Sequence, residues 1–253
     1  MNPRLPILLL LAALLLAGLF TFGDYGLSWD EPLFYDYAES IQGAYRGWDK
    51  FDESVYGRSA ADHKFYGPAY LLLSRPLKLT LQAFGGMDDA SAWHLVNFFS
   101  FLLGIYFIYR LGTRFLTPNL AAVNAAFFAL QPLLWGHAFI NPKDIPFMTA
   151  FLAAVTFGLE WVDGLVQDRY SQKKPAWYFY FGQIWNLCFR SLSIDKLLLA
   201  TLALGIASAI RVIGPLAGVL VFVYFLLSFI RLPRAARTFS LMHLSAYILL
   251  SVL

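Results

Sequence analysis

Asp30 and Glu31 form an adjacent pair of carboxylates in the stretch Gly-Leu-Ser-Trp-Asp-Glu-Pro, which follows an uninterrupted apolar segment from Leu5 to Phe22. Two neighbouring carboxylates separate their pKa values, so one of them can be tuned to accept a proton. An apolar segment of this length predicts a membrane-spanning helix. The sequence therefore predicts acid–base catalysis at a membrane surface.

The composition predicts an all-α, polytopic transmembrane bundle. Hydrophobic residues make up 59% of the chain, charged residues only 14%, and the mean hydropathy is +0.59, which is typical of a lipid-embedded protein. A hydrocarbon core of about 30 Å needs about 20 apolar residues per helix. We therefore expect about seven spans, at residues 5–22, 92–109, 119–140, 146–162, 197–210, 212–230 and 239–253. A tight turn containing Arg211, Gly214 and Pro215 is predicted to separate the fifth span from the sixth.

Three segments follow from these spans. Residues 1–22 are predicted to be an uncleaved signal anchor, because no small-x-small cleavage site follows the apolar stretch. Residues 23–91 form a long external catalytic loop, and residues 92–253 form the helical bundle. Because the last apolar run stops with the chain, we expect the bundle to be incomplete at its carboxyl end and the chain to be the amino-terminal portion of a longer protein.

The basic residues predict the orientation in a plasma (inner) membrane. With a cytoplasmic amino terminus, the basic clusters all fall on the cytoplasmic side, as the positive-inside rule requires. These clusters are Arg110 with Arg114, Arg169 with Lys173 and Lys174, Arg190 with Lys196, and Arg231, Arg234 and Arg237. Most acidic residues then lie outside, and so does the predicted active face.

The external loop is expected to contain short helices. Apolar residues at helical spacing predict a helix over 33–46, with Pro32 in its first turn. Residues 69–84 are apolar but interrupted by charges, which favours a helix lying in the membrane interface. Asp88 is predicted to begin the next helix. In the bundle, His137 lies in an apolar stretch, where we expect it to make interhelical hydrogen bonds.

Four motifs share the predicted external face in a fixed order along the chain. They are Trp29-Asp30-Glu31-Pro32, the stretch from His63 to Pro68, Asn141-Pro142-Lys143-Asp144-Ile145-Pro146-Phe147, and Arg211. Together they resemble membrane glycosyltransferases of the C-type fold over nearly the whole chain. The likeness is greatest to glycosyltransferase family 39, which includes relatives of protein O-mannosyltransferases and of the aminoarabinose transferase that modifies lipid A.

The resemblance implies transfer of a sugar from a polyprenyl-phosphate donor to an acceptor, with inversion at the anomeric carbon. An acceptor hydroxyl is a poor nucleophile, so a carboxylate within about 2.6 to 3.2 Å of its proton must act as general base. By its match to the family's motif, Asp30 is the candidate for this role. Glu31 would orient the acceptor or hold Asp30 in place. Asp144 would steady positive charge that develops on the sugar, or a sugar hydroxyl.

The resemblance also implies a lipid phosphate as leaving group, which calls for fixed cations. Arg211 offers a planar fork that holds two phosphate oxygens, and Lys143 is the second candidate. Each has a simpler alternative. Arg211 at a helix end would snorkel to lipid headgroups, and Lys143 beside Asp144 would form an ordinary exposed ion pair.

His63 is expected to contact the donor phosphate or the acceptor. Metal ligation by His63 with Asp62 and a further carboxylate is the weaker alternative, because no His-x-x-x-His or paired-cysteine spacing supports a divalent metal site. The predicted reaction requires no cofactor. The single cysteine, Cys188, excludes a disulfide within the chain.

The expected partners are the polyprenyl-phosphate-linked sugar, membrane lipids, and a lipid, glycan or protein acceptor, with no nucleic acid. Trp29, Tyr35 and Tyr66 are candidates to pack against a sugar face, although aromatic residues at headgroup level also act as membrane anchors. Two other classes stay open. A transporter or channel would use Arg211 and Asp144 as coupling or selectivity charges, and a non-catalytic membrane assembly subunit would keep the fold without the chemistry.

Overall fold

The computed structural model describes residues 3–41, 66–171, 194–230, 241 and 244–251 of the 253-residue chain. Within these residues the fold is all-α, as predicted, and no strand occurs. The elements are α1 (Leu5–Thr21), a 3-10 helix (Phe22–Asp24), α2 (Glu31–Ser40), α3 (Ala69–Gly85), α4 (Asp89–Gly112), α5 (Pro118–Ala129), α6 (Pro132–Ile140), α7 (Asp144–Ser171), α8 (Ile194–Ile210) and α9 (Pro215–Ile230). Residues 244–251 are also helical.

The apolar helices indicate a membrane protein. Among the described residues three helical segments are long and apolar enough to cross a membrane, namely Leu5–Asp24, Asp89–Gly112 and Asp144–Leu165. A fourth span is present if α5 and α6 are counted together, although they meet at an angle of 70°. Pro132 begins α6, and its missing N–H and fixed φ account for the break after α5.

The prediction of about seven spans is wrong for the part of the chain that the structure describes, which contains three or four. The turn predicted around Arg211 is present, because α8 ends at Ile210 and α9 begins at Pro215. Over the described residues, the two helices that it separates have 17 and 16 residues. At 1.5 Å per residue each is about 25 Å long, which is shorter than a hydrocarbon core of about 30 Å.

The chain divides into two compact units. The first contains Met1–Ala150 and Ser208–Val212, and the second contains Phe151–Ala207 and Ile213–Leu253. In the first unit α4 is central and packs against α1, α3, α5 and α6. Phe98 of α4 stacks on Phe139 with ring centroids 4.7 Å apart. Gly18 leaves α1 room to approach the same ring, because a Cβ there would lie 2.1 Å from a Phe98 ring carbon.

The two predicted loop helices are both present. The helix expected over 33–46 is α2, which includes Pro32 in its first turn, while residues 42–46 lie outside the described residues. The helix expected over 69–84 is α3, which ends at Gly86 with a φ of 62°. Its Lys78 is buried between Glu39 and Asp89, whereas Phe84 is 90% exposed. Charges that point inward and apolar side chains that point outward suit an interfacial helix, and that membrane placement stays a prediction.

The second unit has its own aromatic core. Trp161 of α7 stacks on Phe225 of α9 and on Tyr247, with ring centroids 6.3 and 5.1 Å away. Gly158 packs directly against Val221, because a Cβ at residue 158 would lie 2.3 Å from a methyl carbon of that valine. These contacts tie α7 to α9 within this unit.

Candidate functional site

Asp30 stands at the amino terminus of α2 with its side chain directed away from the helix. Its backbone carbonyl accepts the first helical hydrogen bond, from the N–H of Phe34 at 3.2 Å. Its carboxylate makes no capping bond to α2. Instead, Oδ2 accepts from Lys143 Nζ at 2.9 Å, and 47% of the Asp30 side chain stays exposed. The carboxylate is therefore paired with a cation and also accessible to a ligand.

Lys143 and Asp144 are presented by a turn that Asn141 organises between α6 and α7. The Asn141 Oδ1 accepts from the backbone N–H groups of Lys143 and Asp144, at 3.2 and 2.8 Å. The Asn141 Nδ2 donates to Asp144 Oδ2 at 3.0 Å. An asparagine that bonds backbone groups two and three residues ahead fixes a tight turn. This turn directs the Lys143 ammonium to Asp30.

Arg211 reaches the same place from the turn between α8 and α9. One of its terminal nitrogens, Nη2, forms an ion pair with Asp144 Oδ1, and its guanidinium carbon lies 6.0 Å from the centre of the Phe147 ring. The Arg211 Nε is buried and has no hydrogen-bond partner among the described residues. The ion pair with Asp144 joins Arg211 to the turn at 141–144. The guanidinium still has an N–H group that bonds none of the described residues.

Glu31 has a different environment from its neighbour. It is fully buried, and its carboxylate accepts three hydrogen bonds, from Ser28 N at 2.6 Å, Tyr35 OH at 2.5 Å and His94 Nε2 at 2.9 Å. Burial raises the pKa of Glu31, but the bonds from His94, Tyr35 and Ser28 outweigh it and hold the pKa below its usual value. Glu31 is therefore an ionised group that already accepts three hydrogen bonds within the protein.

This environment favours one of the two roles predicted for Glu31. A buried carboxylate with three donors is poorly placed to orient an acceptor and well placed to hold residues 28–31 in position. Tyr35 takes part in the same network, and its ring stacks on Trp93 with centroids 5.2 Å apart. Because Tyr35 is only 8% exposed, this arrangement argues against a sugar contact and makes Tyr35 a support for Glu31.

His94 was not singled out from the sequence, although it contacts the predicted pair directly. It is completely buried near the start of α4, with Nε2 on Glu31 and Nδ1 3.3 Å from the carbonyl oxygen of Phe22. A histidine in an apolar helix gives no signal of its partner. Only the packing of α2 against α4 brings residues 31 and 94 together.

A cleft of about 200 Å³ opens beside Asp30 and Lys143. Trp29, which is 92% exposed, forms part of its wall, and so does His137. The full lining consists of Ser28, Trp29, Asp30, Phe34, His137, Ile140, Asn141, Pro142 and Lys143. Tyr66 lies close by, because the Lys143 Nζ is 5.6 Å from its ring centre. Trp29 and Tyr66 thus remain candidates for a sugar contact.

The position of His63 lies outside the described residues, so its predicted phosphate or acceptor contact stays a prediction. Among the residues that the structure describes, no three His, Cys, Asp or Glu side chains lie close enough together to hold a metal ion. Among the described residues His137 does not make the expected interhelical hydrogen bond. Its Nδ1 instead bonds Asn141 Nδ2 at 3.1 Å, just beyond the end of its own helix.

Comparisons of the chain with protein-family models, with curated proteins and with solved structures find no match. The resemblance to family 39 glycosyltransferases therefore remains a prediction that rests on the four motifs. The site itself rests on contacts among Asp30, Lys143, Asp144 and Arg211.

Proposed function

We propose that the protein is a membrane glycosyltransferase that moves a sugar from a polyprenyl-phosphate donor to an acceptor hydroxyl, with inversion at the anomeric carbon. The observation that carries the proposal is the convergence of Asp30, Lys143, Asp144 and Arg211, which come from three separate parts of the chain. Lys143 pairs with Asp30 at an open cleft, and the adjacent Asp144 pairs with Arg211. Glycosyl transfer from a phosphate donor needs both kinds of charge.

The cations have the chemistry to bind the donor. Without a ligand, Lys143 neutralises Asp30 and Arg211 neutralises Asp144. A donor phosphate that binds Lys143 competes with the Asp30 carboxylate for the ammonium, and this competition frees Asp30 to accept a proton. Arg211, with its planar donors, then stabilises the charge that gathers on the departing phosphate.

The reaction balances with these residues alone. Asp30 removes the proton of the acceptor hydroxyl while its oxygen attacks the anomeric carbon. The bond between that carbon and the phosphate oxygen breaks, and the electron pair leaves with the lipid phosphate. The developing positive charge on the sugar ring is stabilised by a nearby carboxylate, for which Asp144 is the candidate. A site on the external face follows from the positive-inside rule.

Purified protein incubated with isotopically labelled polyprenyl-phosphate sugars tests the proposal. We expect transfer of label to an acceptor mixture of lipids, glycans and peptides, or slow release of free sugar when no acceptor is added. The Lys143→Ala variant serves as the paired control and should lose the reaction. Label that stays wholly on the donor under all conditions would contradict the proposal.

A transporter is the second candidate, and the 70° break between α5 and α6 favours it, because broken helices form substrate sites in many transporters. The charges of the candidate site argue the other way, since they lie at helix ends and turns. Reconstituting the protein in liposomes separates the two functions. Flux of a solute without any change to a labelled donor would favour the transporter.

A further inference from the structure

The side chain of Asn141 has a fixed orientation that determines the protonation of His137. Its Oδ1 accepts from two backbone N–H groups, those of Lys143 and Asp144. Backbone N–H groups only donate, so the atom that they bond must be the amide oxygen. The other amide atom, Nδ2, is then a donor, and it faces both Asp144 Oδ2 at 3.0 Å and His137 Nδ1 at 3.1 Å.

A donor that faces His137 Nδ1 requires this nitrogen to carry no hydrogen. A protonated Nδ1 would place two N–H groups against each other, and a cationic imidazole is excluded for the same reason. His137 is therefore the neutral imidazole with its hydrogen on Nε2. Among the described residues, the ring makes no hydrogen bond other than that to Asn141.

In this tautomer, His137 can donate a hydrogen bond to a ligand in the cleft. His137 lines the same cleft as Asp30 and Lys143, and the hydrogen bond to Asn141 leaves it only a donor to offer. A sugar hydroxyl both donates and accepts, whereas the unesterified oxygens of a phosphate diester only accept. Beside the Lys143 ammonium, a neutral N–H donor matches a phosphate oxygen better than a sugar hydroxyl.

We infer that His137 is a further donor-binding residue, which holds a phosphate oxygen of the polyprenyl-phosphate donor through Nε2–H beside the Lys143 ammonium. The inference rests on the proposed function for the identity of the ligand. The tautomer rests on the hydrogen bonds of Asn141 alone. His137 contributes no charge, so it adds a directed hydrogen bond without repelling Lys143 or trapping Asp30 in a second ion pair.

Nitrogen NMR of protein labelled with ¹⁵N-histidine tests the tautomer without any substrate. The signals of His137 are assigned as those that disappear in His137→Gln. We expect Nδ1 to give the signal of an unprotonated ring nitrogen and Nε2 that of a protonated one at neutral pH. Protonation of Nδ1 would overturn the inference, whatever the protein's activity.

Two substitutions of His137 test the two ring nitrogens separately. His137→Gln places an amide donor near the position of Nε2, and His137→Asn places an amide near the position of Nδ1. Binding is measured with sugar-free polyprenyl phosphate and with the polyprenyl-phosphate sugar, on variants whose melting temperatures show that they are folded. For both lipids we expect His137→Gln to bind nearly as tightly as the wild type and His137→Asn to bind roughly 10 to 100 times more weakly, as the loss of a hydrogen bond to a charged group implies.

The opposite order, with His137→Asn intact and His137→Gln impaired, would show that His137 acts only by supporting Asn141 and would overturn the inference. Equal binding by all three proteins would overturn it as well. A loss confined to the sugar-bearing lipid would overturn the assignment to phosphate. If the wild type bound neither lipid, the proposed function and the ligand assignment would both fall, and the NMR result would still decide the tautomer.

Discussion

Adjacent residues of one carboxylate pair have opposite environments. Asp30 is half exposed and paired with Lys143, whereas Glu31 is buried among Ser28, Tyr35 and His94. A reacting base needs access to its substrate, and a positioning residue needs a fixed geometry. The pair meets both needs, because α2 begins at Glu31 and leaves Asp30 just outside the helix.

Glu31 predicts a dependence of stability on pH. Its pKa is lower in the folded protein than its usual value of 4.5, so it stabilises the fold above about pH 4.5 and this contribution is lost as the pH falls through the folded pKa. Melting temperatures of wild type and Glu31→Gln in detergent measure the effect. We expect the wild type to melt higher at pH 7 and the difference to narrow on acidification. A difference in melting temperature between the two proteins that does not change on acidification would contradict the prediction.

Arg211 is expected to resist conservative replacement. Arg211→Lys keeps the charge but loses the planar pair of donors, and we expect roughly 10 to 100 times weaker binding of a polyprenyl-phosphate donor, by the energy of one charged hydrogen bond. Arg211→Ala should bind still more weakly. Arg110→Lys, at the end of α4 and near the ring of Tyr106, is the matched control and should bind normally. Near-native binding by Arg211→Lys would instead favour a headgroup anchor.

At the scale of elements, three short connections build the site. The start of α2 carries Asp30, the turn between α6 and α7 carries Lys143 and Asp144, and the turn between α8 and α9 carries Arg211. The last connection is held by a close approach of backbones. A Cβ at Gly67 would lie 1.9 Å from the carbonyl oxygen of Ala209.

Gly67→Ala is therefore expected to displace the segment that leads into Arg211. A clash with backbone is not relieved by rotating a side chain, so we expect a loss of stability of about 1 to 3 kcal/mol together with weaker donor binding. Gly26→Ala is the matched control, because a Cβ at Gly26 meets no atom within 4 Å. The stability of both variants is measured by thermal unfolding, and their donor binding is measured alongside. Equal behaviour of the two would show that the approach at Gly67 does not position Arg211.

Local sequence signals predicted where the helices begin better than they predicted which residues contact one another. Pro32 and Pro215 mark the starts of α2 and α9, and Asp88 caps α4 by accepting from Ser91 N at 3.0 Å, as expected from its type. The motifs also named most residues of the cleft. The roles of His94, Asn141 and His137 depend on hydrogen bonds across or just after helices, and a linear pattern does not record those partners.

At the scale of the molecule, the contact between Asp30 and Lys143 constrains how the chain crosses the membrane. Asp30 follows α1, and Lys143 follows α6. A hydrogen bond of 2.9 Å between them requires both to lie on one side. With α3 lying in the interface, as predicted, this condition is met when α4 makes one crossing and the bent pair of α5 and α6 makes the return crossing. It is then not met when that pair forms a re-entrant loop.

Cysteine labelling in a Cys188→Ser background tests this topology. Leu27→Cys and Val212→Cys should react with a membrane-impermeant reagent from the outer side, and Phe115→Cys only after the membrane is opened. All three positions are exposed, by 56%, 96% and 80%, so access to the reagent depends on the side of the membrane. Reaction of Leu27→Cys and Phe115→Cys from the same side would contradict the predicted crossings.

The most direct test of the central claim is the turnover of Asp30→Asn. The substitution keeps the size of the side chain and removes the proton acceptor. General-base catalysis is worth a factor of roughly 100 to 10,000, and we expect a loss of that size in sugar transfer while donor binding and the melting temperature are kept. We expect Glu31→Gln to lose less transfer activity. Full transfer activity in a well-folded Asp30→Asn protein would remove Asp30 from the mechanism and contradict the account.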